Sequence, residues 1–166
     1  MNDAHFHLVV NHFPIVGVVI GFLVLLSGLI LKSKQVKATA LFIFIFSALA
    51  TIAAFYTGEG AEEVVENMAN VSETLIHDHE EHAEVFYAMM LVLGGISIAT
   101  LFLDFKKFAF AKYGFIAALL LSVGCMVMAK FVGTSGGEIM HTEIRSNADN
   151  IINLDSKHNK SKDQHD

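Results

Sequence analysis

The sequence predicts an all-α protein: an integral membrane four-helix bundle with helices extending past the outer membrane face. Three observations predict this class. Hydrophobic residues make up 54% of the chain and charged residues only 17%, whereas a soluble domain carries about 25% charged residues. Four apolar runs reach the length of roughly 20 residues that a spanning helix needs. The charged residues are concentrated between these runs.

The four predicted spans cover residues 13–31, 38–57, 85–103 and 109–129. Together they form one transmembrane domain over residues 1–145, and residues 146–166 form a polar tail that we expect to be disordered. No Lys or Arg precedes the first run. A cleaved signal peptide has a positive amino-terminal region, so this run is expected to be a retained span.

The lysines predict the orientation of the four spans. The turn between spans one and two carries Lys32, Lys34 and Lys37, and the turn between spans three and four is also lysine-rich. The loop over residues 58–84 has no Lys or Arg and nine acidic residues. Lysine-rich short loops stay in the cytoplasm. The chain is therefore predicted to be a multi-pass protein of the bacterial inner membrane with both termini in the periplasm.

Two helices are predicted to continue past the outer face. Ser72 is a good N-cap, and no strong helix breaker follows it before Leu103, so the third helix is expected to begin well above the bilayer. The fourth helix is predicted to extend through three glycines to about Arg145. The chain has no basic stripe, which excludes a nucleic-acid binder.

Histidines collect at the predicted outer ends of three helices. Spacing along the helices favours His12 and His79 as a first ligand pair, on the first and third helices. His7, His82 and His141 follow as a second layer. Imidazole ligates haem iron, copper, zinc and non-haem iron, and ligands for a cofactor in a bundle come from facing helices.

The preferred cofactor is haem b, with Cu, Zn or Fe as alternatives. A haem b needs two histidines on opposing helices and small residues beside the macrocycle. Gly17 and Gly21 in span one, and Gly133, Gly136 and Gly137 beyond the end of span four, could supply these small residues. A bare metal ion would draw on His12, His79, His82 and His141. The chain has no C-x-x-C-H motif, which excludes a covalently attached haem.

Other interpretations stay open. The segment 77–82 is equally compatible with a solvated helix face, and the glycines with contacts between helices. A non-catalytic membrane anchor or assembly subunit with incidental histidines is the alternative function. Transport ranks last because the cytoplasmic halves of the spans carry few polar residues. No nucleophile with an adjacent base is evident, so an electron-transfer or accessory role is favoured over an enzyme acting alone.

Three motifs resemble a family of uncharacterised bacterial four-helix membrane proteins, a domain of unknown function. They are His7-Leu-Val-Val-Asn-His12-Phe-Pro14, His79-Glu80, and Gly136-Gly137-Glu-Ile-Met-His141. Members of that family occur beside or fused to redox modules, so the resemblance implies membrane electron transfer with haem. The expected partners are the lipid bilayer, other respiratory or redox membrane proteins, and a soluble cationic carrier steered by the acidic loop.

Overall fold

The computed structural model describes residues 3–66 and 71–145, and over these residues it contains helices and no strand. The prediction of an all-α, four-helix fold is confirmed. The α-helices are α1 (Asp3–Val10), α2 (His12–Ile30), α3 (Lys34–Glu66), α4 (Glu73–Phe105) and α5 (Ala111–Met140), followed by a short 3₁₀ helix, Thr142–Ile144. The predicted tail, 146–166, lies outside the described residues.

Four stretches of the described chain are long and apolar enough to cross a membrane: Ala4–Ile30, Lys34–Glu66, Glu73–Phe105 and Ala111–Met140. Helices α3 and α4 have 33 residues each, which is a length of about 50 Å. A span needs only about 30 Å. The extra length of α3 and α4 lies at the end of the bundle opposite the two lysine-rich turns. We call this end the acidic end, and the end that carries the turns the lysine end.

The first span is interrupted at Asn11, between α1 and α2. The backbone N–H of Asn11 still donates to the His7 carbonyl at 2.9 Å, so the chain direction is nearly maintained. Pro14 is buried in the first turn of α2, where a missing N–H is tolerated. Helix α1 packs mainly against α3, and α2 packs against both α3 and α5.

Each long helix packs against the next, and α5 returns to α2, which closes the bundle. The centre is filled by apolar side chains, among them the fully buried Leu25, Phe44 and Met90. Large apolar side chains also cover the outside: Phe42, Phe46, Ile98, Phe102 and Leu120 are each more than half exposed. So much outward-facing apolar surface is typical of a protein whose solvent is lipid.

The two lysine-end turns use the same backbone motif. Ser33 N–H donates to the Gly28 carbonyl, and Phe108 N–H donates to the Leu103 carbonyl, at 3.0 and 2.9 Å. These are the long bonds of a Schellman motif. The residue at the left-handed position is Lys32 in one turn and Lys107 in the other, with φ of 52° and 58°. Glycine usually holds this position, so both turns place a cation where the backbone alone would favour glycine.

Buried hydroxyl groups in the spans are bonded within their own helices. They include Ser47, Thr51, Ser97, Thr100 and Ser122, and each donates to a carbonyl three or four residues earlier at 2.7–2.8 Å. A hydroxyl that bonds its own helix leaves no orphaned donor in an apolar environment. These residues therefore give no polar connection from one helix to the next.

The Gly94–Gly95 pair offers a test of the helix contacts. A Cβ on Gly94 would lie 2.6 Å from the Ala48 Cβ, whereas a Cβ on Gly95 would meet nothing within 4 Å. Because overpacking a tight contact forces backbone shifts, Gly94→Ala should lower the free energy of unfolding by about 1–3 kcal/mol. Gly95→Ala should be neutral or slightly stabilising. Unfolding of both variants in mixed detergent checks this, and equal stabilities would contradict the close α3–α4 approach.

Candidate functional site

A cavity of about 390 Å³ lies at the acidic end, between α1, α3, α4 and α5. Its walls are mainly apolar, and its polar lining consists of two histidines and four glutamates. None of the Lys or Arg residues in the described part of the chain lines it. We call it the outer cavity, and it is lined by Ala4, His7, Leu8, Ala54, Phe55, Gly58, Glu59, Ala61, Glu62, Val64, Val65, Ile76, His79, Glu80, Ala83, Glu84, Gly136, Ile139 and Met140.

His7 enters the outer cavity from α1 with its ring fixed on α3. Its Nδ1 lies 3.0 Å from the Ala54 carbonyl oxygen and 3.3 Å from Thr57 Oγ1. A carbonyl oxygen only accepts, so Nδ1 carries the proton. In the neutral ring Nε2 is then the nitrogen with the free lone pair. Gly58 lies beside the ring, since a Cβ there would be 3.7 Å from His7 Cε1.

His79 reaches the same cavity from α4 and is fixed on α5. Its Nδ1 lies 3.1 Å from Ser135 Oγ. Ser135 has one hydroxyl proton, which it donates to the Phe131 carbonyl at 2.9 Å, so its oxygen accepts from His79. His79 therefore also carries its proton on Nδ1 and keeps the lone pair on Nε2. Gly136 makes room for this ring: a Cβ there would lie 2.9 Å from His79 Cε1.

A second, smaller cavity of about 70 Å³ continues from the histidine pair towards the middle of the bundle. It shares His7, Ala54, Phe55, His79 and Ala83 with the outer cavity. We call it the inner chamber, and its remaining lining residues are Asn11, Pro14, Ile15, Thr51, Phe86, Tyr87 and Val132. The histidine pair thus separates a larger acidic cavity from a small chamber at the level of the spans.

Two glutamates connect α3 and α4 at the rim of the outer cavity. The Glu62 and Glu80 carboxyl groups are hydrogen-bonded to each other. Two carboxyl groups can form such a bond only when one of them is protonated, so this contact favours a proton on the pair. The rim is consequently less negative than its four glutamates would suggest.

The other predicted ligands lie outside both cavities. His12 is exposed at the start of α2. The His82 ring stacks on Phe131, with ring centroids 5.7 Å apart, and its buried Nδ1 has no hydrogen-bond partner. His141 ends α5, is exposed, and pairs with Glu143 at 2.9 Å. The pKa of Glu143 is lowered mainly by a hydrogen bond from the backbone N–H of Glu143, and further by the contact with His141.

His77 is exposed and lies 3.5 Å from Glu81, as expected for a solvated helix face. The segment 77–82 thus has one solvated side, whereas His79 points inward.

The structure brings His7, not His12, together with His79. His7 and His12 are five residues apart, a rotation of about 140° on a helix, so they cannot both face the bundle. The predicted metal set of His12, His79, His82 and His141 is also not brought together. Among the described residues, no group of three or more His, Cys, Asp or Glu side chains is placed to hold a metal ion. Sequence reasoning did not identify Ser135, Asn11 or the Glu62–Glu80 pair.

Ser135→Ala tests the bond that fixes His79. The variant removes one acceptor of His79, whose ring also has a hydrogen bond to the Val132 carbonyl, so it should cost about 0.5–1.5 kcal/mol of unfolding free energy. Ser122→Ala is the matched control on the same helix, because the buried Ser122 hydroxyl bonds only the Leu119 carbonyl. Unfolding in detergent should show the larger loss for Ser135→Ala. Equal losses would mean that the histidine bond is not formed.

The described chain is thus a four-helix bundle with four helices able to span a membrane and a paired-histidine cavity at one end. No protein-family model, no characterised protein and no solved structure matches the chain. The resemblance to the four-helix family of unknown function stays a prediction.

Proposed function

We propose that this chain is a membrane redox protein that binds haem b at its acidic end, with His7 and His79 as the axial ligands. One observation carries the proposal. Both rings line one cavity, both have Nδ1 bonded to a protein acceptor, and both keep Nε2 as the unprotonated nitrogen. Ligating histidines are oriented in this way in metal and haem sites.

The donor set fits haem better than a bare metal ion. A structural zinc ion takes four protein ligands and a catalytic one takes three, and the described residues offer no such group. Haem iron needs only two protein ligands because the porphyrin supplies four. Gly58 and Gly136 lie beside the two rings and leave space there. When bound, the haem supplies a one-electron iron couple, and His7 and His79 hold it.

The negative charge around the outer cavity limits how the cavity could hold haem. Haem carries two propionates, and the outer cavity is lined by four glutamates and no Lys or Arg. The contact between Glu62 and Glu80 favours a proton there, which would reduce the negative charge of this rim. We therefore expect haem to be held mainly by its iron and its apolar ring, with little contribution from the propionates.

The optical spectrum tests the function directly. The full chain is purified in detergent from cells supplied with haem, and the reduced-minus-oxidised difference spectrum and the haem content are measured. We expect the bands of a low-spin haem b and about one haem per chain, as two axial imidazoles imply. A colourless protein that also contains no metal by elemental analysis would overturn the proposal and leave the membrane anchor as the better interpretation.

We further propose that the acidic end faces the periplasm of a bacterial inner membrane. With Cys125 replaced by alanine, His77→Cys at the acidic end should react with a membrane-impermeant maleimide in intact spheroplasts. Lys34→Cys at the lysine end should react only after lysis, because lysine-rich turns stay in the cytoplasm. Both positions are exposed, so accessibility within the protein does not differ. The opposite labelling pattern would show that the topology is inverted.

The partners follow from this orientation. The lipid bilayer contacts the exposed apolar faces of the spans. The acidic end would attract a soluble, cationic electron carrier or a redox membrane protein with a basic surface. Electrostatic attraction of this kind weakens as ionic strength rises.

A further inference from the structure

The inner chamber contains a buried acceptor that has no donor. Asn11 Oδ1 is inaccessible to solvent and has no hydrogen-bond partner. A buried amide oxygen without a donor is costly, and such groups are normally satisfied by protein or by ordered water. Asn11 lies where α1 meets α2, one turn beyond His7, and it lines the chamber beneath the histidine pair.

The neighbouring polar groups of the chamber cannot donate to Asn11. The Thr51 hydroxyl donates to the Ser47 carbonyl at 2.8 Å, which leaves only its lone pairs. His7 and His79 use their Nδ1 protons on Ala54 and Ser135. Pro14 has no N–H. The Tyr87 ring stacks on Phe55, with centroids 4.4 Å apart, and its hydroxyl does not reach Asn11.

The chamber therefore leaves Asn11 Oδ1 without a donor from the described residues, and it has the size for a small donor. Its volume of about 70 Å³ is large enough for at least one water molecule. The hydroxyl of an organic ligand that enters from the outer cavity has the same chemistry, because the two cavities share five lining residues. A dry, empty chamber would be expected only if its wall were entirely apolar.

We propose that the inner chamber is a binding site for an O–H donor, which donates to Asn11 Oδ1 and contacts Thr51 and the histidine pair. The donor is either ordered water or the hydroxyl group of an organic ligand. This site places an exchangeable proton beside the histidine pair, below the outer cavity. The inference does not depend on whether haem occupies the outer cavity.

X-ray hydroxyl-radical footprinting of the full chain in detergent tests the site. Radiolysis of bound water generates radicals in place, and these oxidise the adjacent side chains even where bulk water does not reach. Phe86 lines the chamber and is 4% exposed, whereas Phe44 lines neither cavity and is 0% exposed. These two residues are a matched pair. In the wild type Phe86 should be oxidised several-fold faster than Phe44.

Variants identify the acceptor. Asn11→Leu should reduce Phe86 oxidation to the Phe44 rate. Thr51→Val, which is nearly isosteric, should reduce Phe86 oxidation in part. This second variant provides the test if Asn11→Leu does not fold. Equal oxidation of Phe86 and Phe44 in wild-type protein that has been washed free of organic ligands would overturn the proposal. Unchanged oxidation of Phe86 in both variants would do the same.

A competing hydroxyl compound separates the two sources. The probe is benzene-1,4-diol, added to the wild type before irradiation. Protection of Phe86 that is absent in Asn11→Leu would identify an organic hydroxyl as a ligand of the chamber. Oxidation that the diol does not change would identify water as the occupant. If the purified chain shows no haem bands but Phe86 is still oxidised faster than Phe44, the proposed function is wrong and the binding site in the inner chamber is supported.

Discussion

Replacing His7 or His79 with alanine is expected to abolish haem binding by the purified chain, whereas replacing His12 is expected to leave it intact. His7 and His79 line the outer cavity, each with its Nδ1 bonded to the protein, while His12 is exposed on α2. Loss of one axial imidazole removes half of the protein's ligation of the iron. The reduced-minus-oxidised spectrum and the haem content of each variant are the measurements.

His77→Ala is the matched control for His79→Ala. His77 lies two residues earlier on α4, has a 68% exposed side chain, and contacts only glutamates in the described structure. It should bind haem like the wild type. If His12→Ala lost the bands and His7→Ala kept them, the pairing of His12 with His79 predicted from spacing would be correct and the cavity pairing wrong.

Gly136→Ala is expected to weaken haem binding and to lower the free energy of unfolding by no more than Ser135→Ala does. The new Cβ would lie 2.9 Å from His79 Cε1 and 3.2 Å from Nδ1, so the ring must move and its bond to Ser135 must lengthen. Disturbing a group that orients a metal ligand typically costs about 10- to 100-fold in affinity. Haem titration of the apoprotein measures this loss.

Gly133→Ala is the control for Gly136→Ala, one turn earlier on α5. Its Cβ would meet only Ile15 Cδ1, at 3.9 Å, which is ordinary contact. The Gly133→Ala protein should match the wild type in both affinity and stability. If the two variants bound haem equally well, Gly136 would be a helix residue without influence on His79.

The fold was largely predictable because lipid imposes strong rules on sequence. Uncharged runs of spanning length and two lysine-rich turns are enough to specify four spans. Ser72 is the N-cap of α4, as predicted. Helix formers are evident in the sequence after Gly60, but the continuation of the second span into them, as α3 to Glu66, was not predicted. The helix continues there because these residues are helix formers and α1 packs against it.

The histidine of the first span that lines the outer cavity could also have been found from the sequence. The buried positions of α2 are Pro14, Val18, Gly21, Leu25 and Gly28, in a repeat of four and three residues. Continued towards the amino terminus, this repeat reaches Asn11 and His7 and passes over His12. Small and apolar residues at this spacing mark the inward face of a helix. Depth estimates alone ignore this rotation, which is why His12 was favoured.

The partners of the two histidines could not be derived in the same way. Ser135 lies 56 residues after His79, and the Ala54 carbonyl that fixes His7 is a backbone atom with no sequence signature. The contact between Glu62 and Glu80 depends on how far α3 and α4 extend beyond the spans. These features follow from the relative height of neighbouring helices, which composition and periodicity leave undetermined.

The hydroxyl bonds within each span bear on how the chain enters the membrane. Ser47, Thr51, Ser97, Thr100 and Ser122 donate to carbonyls of their own helices. None of these five hydroxyl groups therefore depends on a neighbouring helix for its hydrogen bond. Each helix can leave the translocation machinery for lipid by itself, and the bundle can form later by lateral association.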